Sequence, residues 1–395
     1  MIDAFFSARL KKLQEKNLYR EPVTFDKSDG RTVTHNGKEY LLFCSNDYLG
    51  LSRDSRIIEA VKTGLDEFGY GSGASRLVSG TLSPHALCEK KIAGYLETEA
   101  ALLFGSGYAA NAGMIPALAG KGDMIVADRL IHASLLDGCM LSRAEFRRYS
   151  HRDMNSLENL LKKQRRAGDV WIITDGLFSM DGDLAPLPEI CGLAKRYGAR
   201  VYLDDAHAFG IFGKNGRGSA EHFSVSGGID VYMGTLGKAA GGLGAFAAGS
   251  NAVVDYLKNR ARSFIYSTAM PAACALGAAK AVDILSGFGD ERKRFWTVTE
   301  EFIAELKGLD FETGFQSYII PLITGETDEA LKAARWFWEQ GVYMQAIRPP
   351  TVPEGSARLR LTLSLAQKNE DRRKVIDLIA KKRDFFKRVR EPGNQ

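Results

Sequence analysis

Val231-Tyr-Met-Gly-Thr-Leu-Gly-Lys-Ala-Ala-Gly-Gly242 is the stretch on which the reading of the whole chain turns. An apolar, strand-like run ends in Gly234-Thr235, and a lone lysine, Lys238, follows among glycines and alanines. No other charged residue lies between Val231 and Ala245. A protonated lysine there loses hydration that nothing nearby replaces, so its pKa is expected to fall and its amine to become nucleophilic. A Schiff-base lysine needs that property. Taken alone, a glycine-flanked lysine is more often an ordinary loop residue. A second run adds weight: in Val201-Tyr-Leu-Asp-Asp-Ala-His207 an apolar strand ends in Asp204, with His207 three residues on. Pyridoxal phosphate requires a lysine for its aldehyde and an acidic partner for its ring nitrogen. Here each candidate sits at the end of an apolar strand.

Outward from these two runs, helix and strand alternate. Ser55–Phe68, ending at Gly69, and Pro84–Leu96 have helical patterning, as do Ser156–Arg165 and Leu187–Tyr197. Ala100–Phe104, Met124–Ala127, Val170–Thr174, Val201–Leu203 and Val231–Gly234 read as short, continuously apolar strands. Such alternation predicts an α/β fold with a mostly parallel sheet covered on both faces. Residues 1 to about 20 read as an amphipathic helix, and Arg31–Phe43, with Asn36-Gly37 at its centre, as a β-hairpin. From about residue 290 the texture changes. A charged helix (Asp290–Leu306), a strand (Tyr318–Ile323), a helix (Asp328–Gln340), a strand ending at Leu363 and a closing helix predict a smaller α+β domain. The boundaries drawn are an N-terminal segment 1–50, a cofactor-binding α/β domain 51–288 and a C-terminal domain 289–395.

The bulk numbers exclude several classes. With 395 residues and 45% hydrophobic content the chain can bury a large core. A net charge of +5, from 53 basic and 48 acidic residues, is too balanced for a nucleic-acid binder. The five cysteines, 44, 88, 139, 191 and 274, are odd in number and far apart. They show no metal spacing and read as reduced thiols of a cytoplasmic protein. No apolar run approaches the ~20 residues of a membrane span, and the first residues carry charges where a signal peptide is apolar. The basic run Lys381–Arg390 reads as the solvated face of a last helix.

Ligands of open α/β sheets bind beyond the carboxyl ends of the strands. Gly105-Ser-Gly107-Tyr108, Asp175, Asp204, and Thr235 with Lys238 all fall there. Each has a plainer alternative. Gly107-Tyr108 opens a helix whose amides suit a phosphate, or it is an ordinary strand-to-helix turn. Asp204 holds a pyridine nitrogen, or it caps a helix. His207 bonds a phenolic oxygen, or it is a satisfied buried histidine. His132 stacks on a ring, or it caps a helix. Arg360 receives a substrate carboxylate, or it makes a surface ion pair. Gly242-Leu-Gly-Ala-Phe-Ala247 mimics a dinucleotide fingerprint but lacks the acidic residue ~20 positions on, so it reads as a close-packed glycine turn.

At this point several runs together resemble the α-oxoamine synthases, fold-type I pyridoxal-phosphate transferases with a smaller C-terminal α+β domain. They are Ser45-Asn-Asp-Tyr-Leu-Gly50, Gly71-Ser-Gly-Ala-Ser-Arg76, Ser106-Gly-Tyr108, Asp128-Arg-Leu-Ile-His132, Phe178-Ser-Met-Asp-Gly-Asp183, Asp204-Asp-Ala-His207 and Thr235-Leu-Gly-Lys238. The resemblance covers nearly the whole chain. Ile265-Tyr-Ser-Thr-Ala-Met-Pro271, and Ala346–Pro353 followed by Ala357–Leu363, resemble the biotin-pathway branch of that family.

The resemblance implies an acyltransferase that condenses L-alanine with pimeloyl-CoA or pimeloyl-acyl-carrier protein, with loss of carbon dioxide. It implies Lys238, His207 and Asp204 as catalytic residues. Gly107, Tyr108, His132, Ser179, Thr235 and Thr268 would bind the cofactor with them, and Ser267 or Thr268 would reach a neighbouring subunit's phosphate in a homodimer with shared sites. Arg20, Asn46, His132, Thr351 and Arg360 would bind substrates. Asp175 stands where the family more often has glutamate. A sister synthase with another amino acid or acyl chain, and a non-catalytic scaffold of the same fold, are the alternatives.

Overall fold

The computed structural model describes residues 2–163, 168–311 and 314–386, in two compact units. The larger unit holds residues 49–179 and 183–294. Its seven strands are β1 (Ala100–Phe104), β2 (Met124–Asp128), β3 (Glu145–Tyr149), β4 (Val170–Asp175), β5 (Arg200–Asp204), β6 (Val231–Thr235) and β7 (Ala245–Gly249). They are arranged in the order β1-β7-β6-β5-β4-β2-β3. The pairs from β6 through β5, β4 and β2 to β3 are parallel. Only β7 is reversed, pairing antiparallel with both β6 and β1. All six residues of β4 are buried, which is why its sequence is an unbroken apolar run up to Thr174-Asp175.

Helices cover the sheet. Gly107–Leu118 and Ala133–Ser142 pack on it through Ala110, Met114, Ile115, Leu135 and Cys139, against Ile173, Tyr202 and Met233. Each large apolar side chain fully buried there contributes about 1.5–3 kcal/mol. The two helices touch closely at Gly138, where a Cβ would lie 2.7 Å from the carbonyl oxygen of Asn111. The helix Ser55–Phe68 starts on Asp54, whose side chain accepts from the backbone of Arg56, and stops at Gly69 with φ 75°.

The predicted helices and apolar strands are present to within a few residues, with the end of Ser156–Arg165 lying outside the described residues; the closing helix ends at Lys381, so the basic run Lys381–Arg390 is not its face, and residues 387–390 lie outside the described residues. Two strands of the sheet were not predicted. β3 is an edge strand whose Glu145, Arg147 and Arg148 are exposed, so it shows no apolar run. β7 begins inside the run read as a glycine turn. That turn is real, with positive φ at Gly241 and Gly244, but from Ala245 the chain is a strand of three alanines and a glycine around the single Phe246, which gives little strand signal.

The smaller unit comprises the described residues of 1–48, 180–182 and 295–395. Its hairpin joins Thr32–His35 to Lys38–Leu42 through Asn36 and Gly37, both at positive φ as a two-residue hairpin turn of type I′ demands. Leu41 and Phe43 donate backbone hydrogen bonds to Gly341 and Tyr343, so the N-terminal segment shares a sheet with residues some 300 positions on. For that reason the compact units cross the three consecutive stretches drawn from the sequence. A second sheet pairs Ala357–Thr362 antiparallel with Ile319–Gly325 and Ala346–Ile347. The helix Ile2–Glu15 forms as predicted and none of its residues is buried. No single described helix is long and apolar enough to cross a membrane.

Candidate active site

In the larger unit, the carboxyl ends of the strands bring several of the predicted residues together. Lys238 lies in the loop between β6 and β7, half-buried, with its Nζ 2.7 Å from Nε2 of His207. The loop is closed below it: Leu236 donates to Gly244, Gly242 to Leu236, and Thr235 Oγ1 to the Gly244 carbonyl at 3.0 Å. Thr235 Oγ1 also accepts from the Gly237 amide at 3.2 Å. Asp204 ends β5, 4% exposed, and its Oδ1 accepts from the Ala206 amide at 3.0 Å. That local turn replaces the helix cap considered from the sequence. His207 is 6% exposed.

His132 is the helix cap that its sequence offered. Its Nδ1 accepts from the Ser134 amide at 3.2 Å at the start of Ala133–Ser142. Burial holds its pKa below the usual histidine value. Its backbone amide donates to Oδ2 of Asp175 at 2.9 Å. A carboxylate on the shorter aspartate side chain therefore fixes the start of this helix. Burial, with Asp204 close by, drives the Asp175 carboxyl well above the usual range.

Gly107 and Tyr108 occupy the first turn of their helix, whose cap Ser106 accepts from the Ala109 amide at 3.1 Å. First-turn amides have no intrahelical carbonyl to bond and face outward with the positive end of the helix dipole. The Tyr108 hydroxyl donates to Asp137. Ser179 follows Phe178 at the end of a segment pinned from both sides: Phe178 donates to the Asp183 carbonyl, and the Asp183 carboxylate accepts from His151. His151 spans two carboxylates, Asp128 Oδ1 and Asp183 Oδ2, each at 2.9 Å. Burial alone would lower its pKa, but these two partners overcome that and push it up to about 9. Thr268 is exposed and bridges to Ser75.

In the smaller unit, Arg360 is 6% exposed on the strand Ala357–Thr362. Its Nη1 donates to Asn46 Oδ1 and its Nη2 to the Tyr48 hydroxyl, both at 3.1 Å. It is buried and oriented, which excludes the surface ion pair that the sequence left open. Arg20 is exposed and donates to the Pro349 carbonyl at 3.3 Å, and the Thr351 amide donates to the Arg348 carbonyl at 3.1 Å.

Three residues the sequence reading passed over complete the larger unit's cluster. Asn111 Nδ2 donates to Asp204 Oδ2 at 2.7 Å and to Ser134 Oγ at 2.9 Å, and its Oδ1 accepts from Tyr202 at 2.6 Å. The available signal was a lone amide inside the apolar face of a helix, a position where a polar side chain must find partners.

The chain matches the family Aminotransferase class I and II over residues 38–379. It is 48% identical to the 8-amino-7-oxononanoate synthase of Geobacter sulfurreducens, over 95% of this chain and 97% of that one. Among solved structures, an SPT with PLP superposes with a TM-score of 0.91 at 28% identity, covering 96% of this chain and 97% of the other. The 8-amino-7-oxononanoate synthase of Francisella tularensis superposes with a TM-score of 0.76 at 28% identity, covering 88% and 98%. The chain belongs to the aminotransferase class I and II family, in its α-oxoamine synthase branch.

As an α-oxoamine synthase it is a fold-type I transferase that uses pyridoxal phosphate. Its own residues fit that group. An amine, an imidazole and a carboxylate converge at the ends of β5 and β6, a helix N-terminus opens nearby at Gly107, and a Cβ on Gly107 would press on Met233 at 3.3 Å. The donor set matches what the cofactor's aldehyde, ring nitrogen and phosphate require.

Proposed function

We propose that this synthase condenses L-alanine with a pimeloyl thioester, of coenzyme A or of an acyl-carrier protein, giving 8-amino-7-oxononanoate, carbon dioxide and the free thiol for biotin synthesis. The observation that carries the proposal is the pairing of Lys238 with His207 at 2.7 Å beside Asp204, in a chain 48% identical to a named 8-amino-7-oxononanoate synthase over nearly its full length.

Pyridoxal phosphate, when bound, supplies an aldehyde for the amino acid's amine and a ring that draws electrons from the substrate's α-carbon. Lys238 would anchor the cofactor at rest. A free Lys238 Nζ would take the substrate's α-proton as general base. Asp204 would keep a proton on the ring nitrogen, His207 would bond the phenolic oxygen, and His132 would stack on the ring. Gly107, Tyr108, Ser179 and Thr235 would position the cofactor, several of them around its phosphate, and Thr268 of a second copy would complete the phosphate site. Arg360 takes the alanine carboxylate in the charge-assisted, two-pronged way that a guanidinium allows. Asn46 orients Arg360, and Arg20 and Thr351 line the acyl-donor side. The alanine α-carbon bonds to the thioester carbonyl carbon and the thiol leaves. The former alanine carboxylate leaves as carbon dioxide, and the α-carbon takes up a proton. We further place the enzyme in the cytoplasm as a homodimer. Activity should fall with the dimer population on dilution, and a fully active monomer refutes that part.

The test is a panel of amino acids against acyl thioesters, followed by carbon dioxide release and product mass. L-Alanine with a pimeloyl thioester should be the fastest pair. A second reading, a sister synthase, is favoured by the closer superposition on SPT, TM-score 0.91 against 0.76. It replaces the first if serine or glycine with another acyl-CoA turns over faster.

A further inference from the structure

Both oxygens of the Asp204 carboxylate are engaged inside the protein. Oδ1 takes the Ala206 amide and Oδ2 takes the side chain of Asn111, at 2.7 Å. Asn111 is wholly buried, on the helix that begins at Gly107. Its amide group is used on three sides: both Nδ2 protons are donated, one to Asp204 and one to Ser134 Oγ, and Oδ1 receives the Tyr202 hydroxyl. From Ser134 the chain of contacts continues to His132, Oγ lying 2.7 Å from Nδ1. An amide has one donor end and one acceptor end. Only the orientation present gives a carboxylate a donor and a tyrosine hydroxyl an acceptor, and its reversal would set Oδ1 against Oδ2 of Asp204.

We propose that Asn111 is a positioning residue for the reaction, aiming the Asp204 carboxylate and coupling it, through Ser134, to the ring of His132. The inference rests on the roles proposed above for Asp204 and His132. Hydrogen bonds to a charged, buried partner are the strong ones, and a carboxylate that must meet a ring nitrogen at one angle loses function when it swings. Removing the donor should lower kcat about 10- to 100-fold, equivalent to ~1.4–2.7 kcal/mol at 1.36 kcal/mol per decade. The KM for alanine should stay within about twofold, because Arg360 is untouched.

The experiment compares holoenzymes carrying Asn111→Asp, Asn111→Ser and Asp204→Asn with wild type, by pH profile of kcat and by absorbance of the bound cofactor. Asn111→Asp keeps the shape and still accepts from Tyr202, but its single acidic proton serves Asp204 alone and the donor to Ser134 is lost. The introduced carboxyl faces Asp204 directly, with Asp175, His132, His207 and Lys238 the other titratable groups of the cluster. Beside a carboxylate its pKa is raised, so below that pKa it keeps a proton and donates to Asp204 as the amide did. Above it, two carboxylates face each other. The expected result is a new alkaline limb in kcat, with a shift in cofactor absorbance over the same pH range, neither present in wild type. Asn111→Ser, smaller and uncharged, should bind cofactor but lose kcat at every pH. If Asp204→Asn is crippled while Asn111→Asp overlays wild type in both readouts, or Asn111→Ser keeps wild-type kcat, the inference is overturned and the reading of Asp204 stands. If Asp204→Asn itself keeps turnover and spectrum, that reading falls and the inference with it.

Discussion

Replacing His151 by glutamine should destabilise the larger unit by an amount that depends on pH in a defined direction. His151 hydrogen-bonds Asp128 and Asp183, each at 2.9 Å, and its side chain is 15% exposed. The Arg152 side chain donates to Asp183 and its amide to Asp128, so one imidazolium and one guanidinium serve two carboxylates. The folded-state pKa is raised from 6.5 to about 9. A raised pKa gives stability that is fully present below the unfolded value and lost as pH rises through the folded one. At 1.36 kcal/mol per unit the contribution is about 3 kcal/mol at pH 6, about 2 at pH 7.5 and close to zero at pH 9.5. The wild-type advantage over His151→Gln should therefore be large at pH 6 and nearly absent at pH 9.5. Urea unfolding midpoints of both proteins, measured at those three pH values, check this. An advantage of the same size at pH 6 and pH 9.5 would show that the imidazole contributes by packing, as its edge-on contact with Phe178 allows, and not by charge.

Two further outcomes follow from the site. Lys238→Ala should abolish turnover yet keep the wild-type far-UV spectrum, and borohydride treatment of the wild type should fix the cofactor on the peptide containing Lys238; a label on another lysine refutes the assignment. Arg360→Ala should raise the KM for alanine about 10- to 100-fold, the range expected for a charge-assisted bond of ~1.5–3 kcal/mol, and a KM within twofold of wild type in steady-state assays rules out carboxylate binding there.

The parts of this molecule that the sequence discloses are those where one physical demand dominates. Strands β4, β5 and β6 are covered on both faces, so they are unbroken apolar runs, and the charged residue that follows each run marks the ligand end of the sheet. The Asn36-Gly37 turn is legible because both residues must adopt positive φ. β7 and β3 were silent for opposite reasons: one is alanine and glycine but for Phe246, the other lies at an edge and keeps its charges. Asn111 was hidden because its meaning is relational. Its partners come from positions 134, 202 and 204, and no spacing in the chain joins them before the strands are ordered.

The reversed strand has a consequence for how the protein is assembled in time. β6 and β7 form a hairpin whose ends, Thr235 and Ala245, are paired across a short loop, and Lys238 rides on that loop. β1, by contrast, joins the sheet by pairing Phe104 with Ala245, about 140 positions away. Closing a short loop costs far less chain entropy than closing a long one, and local pairings form first. The lysine is thus set in its frame by the most local pairing of the sheet. The helix that begins at Gly107 follows β1 directly, so its place depends on one of the most distant pairings. A chain interrupted between these events would hold the Lys238 loop in its hairpin frame while the helix that begins at Gly107 still waited for β1 to dock.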